Sequence, residues 1–279
     1  MEKNKKEKEL KRSQELIARN MARISAKILV LSNKGGVGKS VVAVNIAMCL
    51  SKKGAKVGLL DADMHGPSVA KMLDFEGKKM QGGPMGIFPF PVNSHLGVVS
   101  VSSLLESPDV PIIWRGPLKM NALRQFLGEV NWGERDYLII DSPPGTGDEP
   151  LSVCQLIHDL TGAIIVTTPQ DVALLDSRKC ISFLRELSTP IFGILENMSG
   201  MKCPHCGKDI VLFKTGGGEK ASIELGVPFL GRIPFDPHIV ETTDNGKPFV
   251  ESYPYSEASK IIEKICHSID EKVRKEVVS

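Results

Sequence analysis

Seven consecutive residues, Lys34 to Ser40 (K-G-G-V-G-K-S), have the types and order needed to hold a chain of phosphates. Glycines at 35, 36 and 38 let the backbone turn sharply, so its N–H groups can converge on an anion. The helical stretch that follows aims its positive end at the same point. Lys39 can reach the β- and γ-phosphates, and the Ser40 hydroxyl can ligate Mg²⁺. Gly35, Gly36, Val37, Gly38, Lys39, Ser40 and Val41 are therefore expected to line a bound nucleotide.

Carboxylates recur at the ends of apolar runs. "YLIID" ends in Asp141, about a hundred residues after the glycine-rich loop, and is followed by "SPPGTGDEP". A carboxylate at the carboxyl end of a buried strand lies beside the phosphate loop in open α/β sheets and can hold hydrated Mg²⁺. Gly145, in the Gly/Pro-rich segment after it, could offer its N–H to a γ-phosphate. "GLLDADMHGPS" ends another such run with Asp61 and Asp63. Near the end of "ILENMSG", Asn197 carries a side-chain amide able to read an adenine edge, and "RIPFDP", with Pro234 and Asp236, could pack against the ring. No N-K-x-D guanine reader stands out, which favours ATP over GTP.

The third constellation is "MKCPHCGKDI", the one close pair of cysteines, Cys203 and Cys206. Two thiolates are half of a four-coordinate metal site. A redox dithiol would need Cys203 at a helix N-terminus, whereas Gly207 and "KDIVLF" read as a turn into a strand. A zinc site would need two further ligands, and His205, inside the pair, is poorly placed to chelate with both thiols. The spacing alone leaves dithiol, zinc and cluster chemistry open.

These groups need a scaffold. Apolar runs at 27–32, 56–60, 97–101, 137–140, 162–168, 191–195 and 228–233 alternate with helical patterns at 39–53, 117–129, 149–159, 172–187, 217–225 and 256–275. Most of the runs are continuous rather than alternating, as expected of strands covered on both faces. The expectation is an α/β fold, a doubly wound and mostly parallel sheet flanked by helices. A basic helical extension over 1–26 precedes one domain over 27–279. Residues 76–96 read as a loop or small hairpin, and 199–218 as a cysteine-bearing excursion. The stripe Ile262, Ile265, Ile269 and Val273 predicts a core-packing C-terminal helix.

Charge and composition narrow the function classes. Residues 1–27 hold nine Lys/Arg against four Asp/Glu, so the first segment carries +5 and the rest −3 of the net +2. The tail has no aromatic residue to stack on bases, and Leu10, Ile17, Met21 and Ile24 fall at helical spacing. It reads as a solvated helix, with neither nucleic acid nor membrane expected as partner. No apolar run approaches the roughly 18 residues of a transmembrane helix, and the N-terminus is charged where a signal peptide is apolar. A cytoplasmic location follows. Cys49, Cys154, Cys180 and Cys266 are scattered singly and read as buried hydrophobes.

Lys34, with Asn33 where the usual phosphate-loop pattern has its first glycine, resembles the deviant Walker A motif of the ParA/MinD superfamily of dimerising ATPases. That resemblance implies a homodimer in which Lys34 reaches the partner's nucleotide. It also makes Asp61 and Asp63 switch I, with Asp63 orienting the attacking water and Asp61 nearer the Mg²⁺ shell, and "SPPGTG" switch II. Val41 departs from the threonine common there. Further segments in order, "DADMHGPS", "IIWRGPLK", "DYLIIDSPPGTGDEPL", "ILENMSG", "CPHCG", "TGGGEK" and "GVPFLGRIPFDP", resemble the Mrp/ApbC (Nbp-type) iron–sulfur cluster carrier ATPases over about residues 24–265.

On that resemblance, two copies of Cys203 and Cys206 meet at the two-fold axis and supply four thiolates to a 4Fe-4S cluster. Apo iron–sulfur proteins are then the recipients. ATP hydrolysis is expected to be slow, with no arginine finger beyond Lys34. Two rivals remain at this stage: a positioning ATPase with a zinc clasp at its dimer interface, and a reductase-type ATPase with a bridging cluster.

Overall fold

Strands that are apolar on both faces must lie between two layers of helix, and the computed structural model arranges the chain in that way. It describes residues 2–64, 66–80, 82–83, 86–104, 116–170, 172–203, 205–211 and 214–278. Trp114 and Arg115, in one of the family-like segments, lie outside these residues.

The chain begins with α1 (Glu2–Met21), β1 (Ile24–Leu31), α2 (Lys39–Lys52), β2 (Val57–Asp61) and α3 (Val69–Met72). A small hairpin, β3 (Gly82–Gly83) and β4 (Gly86–Ile87), precedes β5 (Phe90–Pro91) and β6 (Leu96–Ser100). Then come α4 (Gly116–Gly128), β7 (Arg135–Asp141), α5 (Asp148–Leu156), β8 (Gly162–Thr167), α6 (Val172–Glu186) and β9 (Ile191–Glu196). A second hairpin, β10 (Met201–Lys202) and β11 (Asp209–Ile210), is followed by α7 (Gly217–Leu225) and β12 (Phe229–Arg232). The chain finishes with α8 (Pro237–Asp244), α9 (Phe249–Ser252) and α10 (Glu257–Val278).

Eight strands form one sheet in the order β12-β9-β8-β1-β7-β2-β6-β5, parallel throughout except for the edge strand β5. This is the doubly wound sheet expected. One face is packed by α2, α9 and α10, whose Ile46, Phe249 and Ile265 are buried together. The other is packed by α1, α4, α5 and α6 through residues such as Met21, Leu127, Val153 and Leu184. Ile262, Ile265, Ile269 and Val273 all face the core, as their spacing predicts.

Cys49, Cys154, Cys180 and Cys266 are buried. Burial pushes the Cys154 thiol up to about 11 and that of Cys180 up to about 12, so both stay protonated and inert.

The N-terminal helix differs from the solvated element expected. Residues 7–12 are exposed, but Ile17 and Met21 are buried against α4. The Asn20 amide donates to the carbonyls of Leu127, Gly128 and Val130 at 2.9–3.0 Å, which caps the end of α4. Ile24, expected on the helical stripe, instead opens β1, because strand pairing with β7 starts there (Ile24 opposite Arg135). The short helices α8 and α9 carry too few apolar repeats to stand out in sequence.

Candidate functional site

β1 lies between β7 and β8, where the strand order reverses, and its carboxyl end runs into the glycine-rich loop. Such a switch point opens a crevice at the sheet's carboxyl edge. Gly36 and Gly38 take φ of 78° and 80°, the left-handed region that a side chain disfavours, and Gly38 caps the N-terminus of α2. An added Cβ on Gly35 or Gly36 would meet nothing within 4 Å, so open space faces the loop. A cleft of about 240 Å³ is lined by residues 34–41 together with Asp63, Gly66, Ser68 and Pro144. Every loop residue expected to line a nucleotide lines it.

Sheet register decides where the carboxylates sit. Asp61 of β2 and Asp141 of β7 are direct Cα partners, and Asp141 also pairs with Val30 of β1. Both are fully buried. The Lys39 ammonium lies 2.5 Å from Asp141 Oδ1, while Asp141 Oδ2 is buried without a hydrogen-bond partner. An orphaned carboxylate oxygen beside the Ser40 hydroxyl has the chemistry to receive a metal-bound water, so the donor set fits Mg²⁺.

Burial raises the Asp141 carboxyl above its usual range, with the Lys39 charge opposing. Asp61 is pushed up to about 8, by burial first and then by the neighbouring Asp141 charge. Its oxygens accept from the Ser100 hydroxyl (2.8 Å) and the Asp63 N–H (3.2 Å). A dication placed between them would restore the ionised forms. Asp63 sits partly exposed at the cleft, accepting from the Gly66 N–H at 3.2 Å.

Three further sets of expected contact residues have these surroundings within the chain. The Gly145 N–H donates to the Ser32 carbonyl at 2.7 Å, so it is engaged within the chain. The Asn197 amide, buried at the end of β9, donates to the Val37 carbonyl at 2.9 Å and braces the phosphate loop from behind. Asp236 accepts from the His238 N–H and caps α8, and neither it nor Pro234 lines the phosphate cleft.

Lys34 is half-exposed and lies 2.8 Å from Asp176 of α6, which also accepts from the Asn33 amide at 2.7 Å. Asp176 was not among the residues singled out by sequence, and nothing local marks it: its partners lie 142 and 143 positions away. Glu196 was missed too, although a carboxylate ending an apolar strand was the same signal that flagged Asp61 and Asp141. It is fully buried and accepts from the N–H groups of Gly216 (2.9 Å) and Gly218 (2.5 Å) and from the Ser199 hydroxyl.

The cysteines occupy the tip of the β10–β11 hairpin. The Cys203 N–H donates to the Lys208 carbonyl (2.8 Å) and the Gly207 N–H to the Cys203 carbonyl (2.9 Å), with Gly207 at φ 69°. This tight turn directs the backbone N–H groups of His205 and Cys206 toward the Cys203 sulfur, with that of Cys206 the larger influence, and lowers the thiol's pKa. Cys203 is half-buried and Cys206 exposed. Among the described residues no group of three or more His, Cys, Asp or Glu could hold a metal. The turn is not a helix N-terminus, so the structural requirement of the dithiol reading is unmet.

A parallel sheet with a glycine-rich loop, a lysine and two strand-end carboxylates at its switch point defines a P-loop NTPase. A protein-family model described as ParA, NUBPL iron-transfer P-loop NTPase matches residues 23–270, and the chain belongs to that family. An iron–sulfur cluster carrier protein of Methanocaldococcus jannaschii is 50% identical over 258 residues, covering 92% of this chain and 89% of that protein. The cytosolic Fe-S cluster assembly factor NUBP2 of Bos taurus is 41% identical over 254 residues, covering 90% and 94%. Among solved structures, a nucleotide-binding protein of Archaeoglobus fulgidus in complex with ADP superposes with TM-score 0.75 at 36% identity, over 88% of this chain and 98% of that one. The cell division ATPase MinD of Pyrococcus furiosus shares the fold, with TM-score 0.63 at 24% identity over 88% and 99%.

Proposed function

We propose that the protein is a homodimeric ATPase that holds a 4Fe-4S cluster between two subunits and passes it to apo iron–sulfur proteins. The observation that carries this reading is the Cys203–Cys206 turn, a half-set of ligands with Cys206 exposed, on a chain that also carries a phosphate-loop cleft. The names of its relatives, cluster carrier and cluster assembly factor, support the same cargo.

ATP would lie with its phosphates against Gly35 to Val41. Lys39 would exchange Asp141 for the β- and γ-phosphates, and Asp141 and Ser40 are the residues that would then hold a hydrated Mg²⁺. When bound, Mg²⁺ would neutralise phosphate charge. Asp63, at the open side of the cleft, orients water, and Asp61 completes the buried carboxylate pair. Lys34, held by Asp176 in the single chain, swings across to the partner's nucleotide in the dimer. Its ion pair is half-exposed and worth no more than about 1 kcal/mol, so dimer contacts can displace it. Among the described residues no helix is long and apolar enough to cross a membrane.

The test is anaerobic reconstitution with iron and sulfide, followed by metal, sulfide and native-mass analysis of the wild type and Cys203→Ala. The expected result is about four irons per dimer, lost in the variant. A dimer that holds one zinc ion and refuses iron would make the hairpin a structural clasp and sink the carrier reading.

A further inference from the structure

Adjacent residues at the end of β9 touch the two functional regions separately. The Asn197 amide holds the phosphate loop at Val37, and a Cβ added to Gly38 would fall 2.3 Å from its nitrogen. The Glu196 carboxylate holds the base of the cysteine hairpin. One oxygen accepts from Ser199, before the first limb, and from Gly216, after the second; the other accepts from Gly218. Gly218 is fitted closely to it, since an added Cβ would lie 3.0 Å from Glu196 Cβ and 3.1 Å from Oε2.

We infer that Glu196 is a positioning residue that transmits the nucleotide state of the phosphate loop to the cysteine hairpin. Three further features support a mechanical link. Met198, next to Asn197, is held at φ 57°, a conformation that costs a non-glycine residue free energy and persists where its surroundings impose it. Its side chain also reaches the loop, 3.6 Å from where a Gly38 Cβ would stand. The two hairpin limbs meet at their base, with an added Cβ on Gly200 falling 3.6 Å from Thr215 Cγ2. Arg232 faces the carboxylate at 3.5 Å through a buried Nε that makes no hydrogen bond, while its Nη2 donates to Glu219 of α7, so Glu196 is also tied by charge to β12.

Ordering of the loop around phosphate moves the Val37 carbonyl. Asn197 follows it, and the strained Met198 turn passes the shift to Ser199. The Glu196 carboxylate, bonded to both sides of the hairpin base, turns that shift into a reorientation of Cys203 and Cys206 rather than a loosening of one limb. The inference deepens the carrier reading and rests on it for its biological use, but the linkage itself requires no metal.

The experiment therefore uses the full-length, metal-free, reduced protein. Alkylation rates of Cys203 and Cys206 by iodoacetamide are followed by peptide mass analysis with and without Mg-ADP, in the wild type, Glu196→Gln and Ser199→Ala. Fluorescent ADP binding is measured on each. Nucleotide should change the wild-type rates severalfold. Glu196→Gln should bind ADP with near wild-type affinity yet show rates that no longer respond, and Ser199→Ala, a milder lesion that removes one hydroxyl, should show a reduced response. A merely structural role would alter absolute rates and leave the nucleotide ratio intact. Wild-type thiols indifferent to ADP, or an equal response in Ser199→Ala and Glu196→Gln as in the wild type, would overturn the linkage. Failure of reconstituted dimers to take iron would instead overturn the cargo and leave this result standing.

Discussion

Alanine substitutions at Gly36 and Gly38 separate backbone strain from contact at the phosphate loop. Both glycines have φ near +80°, so either substitution should cost about 1–2 kcal/mol from left-handed strain alone. At Gly36 nothing lies within 4 Å of the new methyl group. At Gly38 the methyl would sit 2.3 Å from the Asn197 nitrogen, so the amide must leave the Val37 carbonyl. Losing that buried bond adds about 1–3 kcal/mol, giving about 2–5 kcal/mol in total.

For a chain of this size each kcal/mol lowers Tm by roughly 2 °C. Gly36→Ala should then melt roughly 2–4 °C below the wild type and Gly38→Ala roughly 4–10 °C below, in calorimetry without nucleotide or magnesium. Asn197→Ala should absorb part of the Gly38→Ala penalty, so the double variant falls short of the summed effects by at least about 1 kcal/mol. Equal shifts for the two glycines, or additivity in the double-mutant cycle, would refute the claim that Asn197 braces the loop through Gly38.

Two further outcomes follow from the titrating groups. Asp61, raised in the folded protein to about 8 from an ordinary 3.8, keeps its proton when the unfolded chain has lost it. Its contribution to stability is therefore present at low pH and is lost as pH rises from the unfolded value through the folded one. Magnesium-free protein should lose stability relative to Asp61→Asn by up to about 1 kcal/mol per pH unit between pH 5 and 8, measured by urea unfolding. Parallel pH profiles for the two proteins would contradict this. The thiols give a simpler test: in reduced, metal-free protein at neutral pH, Cys203 and Cys206 should alkylate far faster than Cys154 and Cys180, whose thiols are buried and raised to about 11 and 12. Comparable labelling of Cys154 and Cys203 would show that the hairpin confers no reactivity.

Much of the architecture was legible because its signals are local. Seven apolar runs alternating with helical patterns dictate a parallel sheet, and each appears as a strand within a few residues of its expected bounds. The phosphate loop is legible for the same reason: glycines, lysine and serine act within one turn, through backbone that they themselves shape. The cysteine pair is likewise its own signal. Ile24 and the buried half of α1 were misjudged because an amphipathic period does not say whether a partner face exists, and α4 supplies one through contacts more than a hundred residues away.

The sequence by itself determined the alternation of strands and helices and the glycine-rich loop, and its motifs marked the family to which the chain belongs. Tertiary structure alone decided which of them restrain one another. Asp61 and Asp141 become a coupled pair because β2 and β7 are neighbours in register. Asn197 braces a loop 160 positions earlier, Asp176 holds Lys34, and Glu196 closes a hairpin whose far side returns 20 residues later. Hydrogen-bond partners at such separations are chosen by strand order and packing, where burial forces every polar group to find a partner within reach. No spacing along the chain encodes that choice.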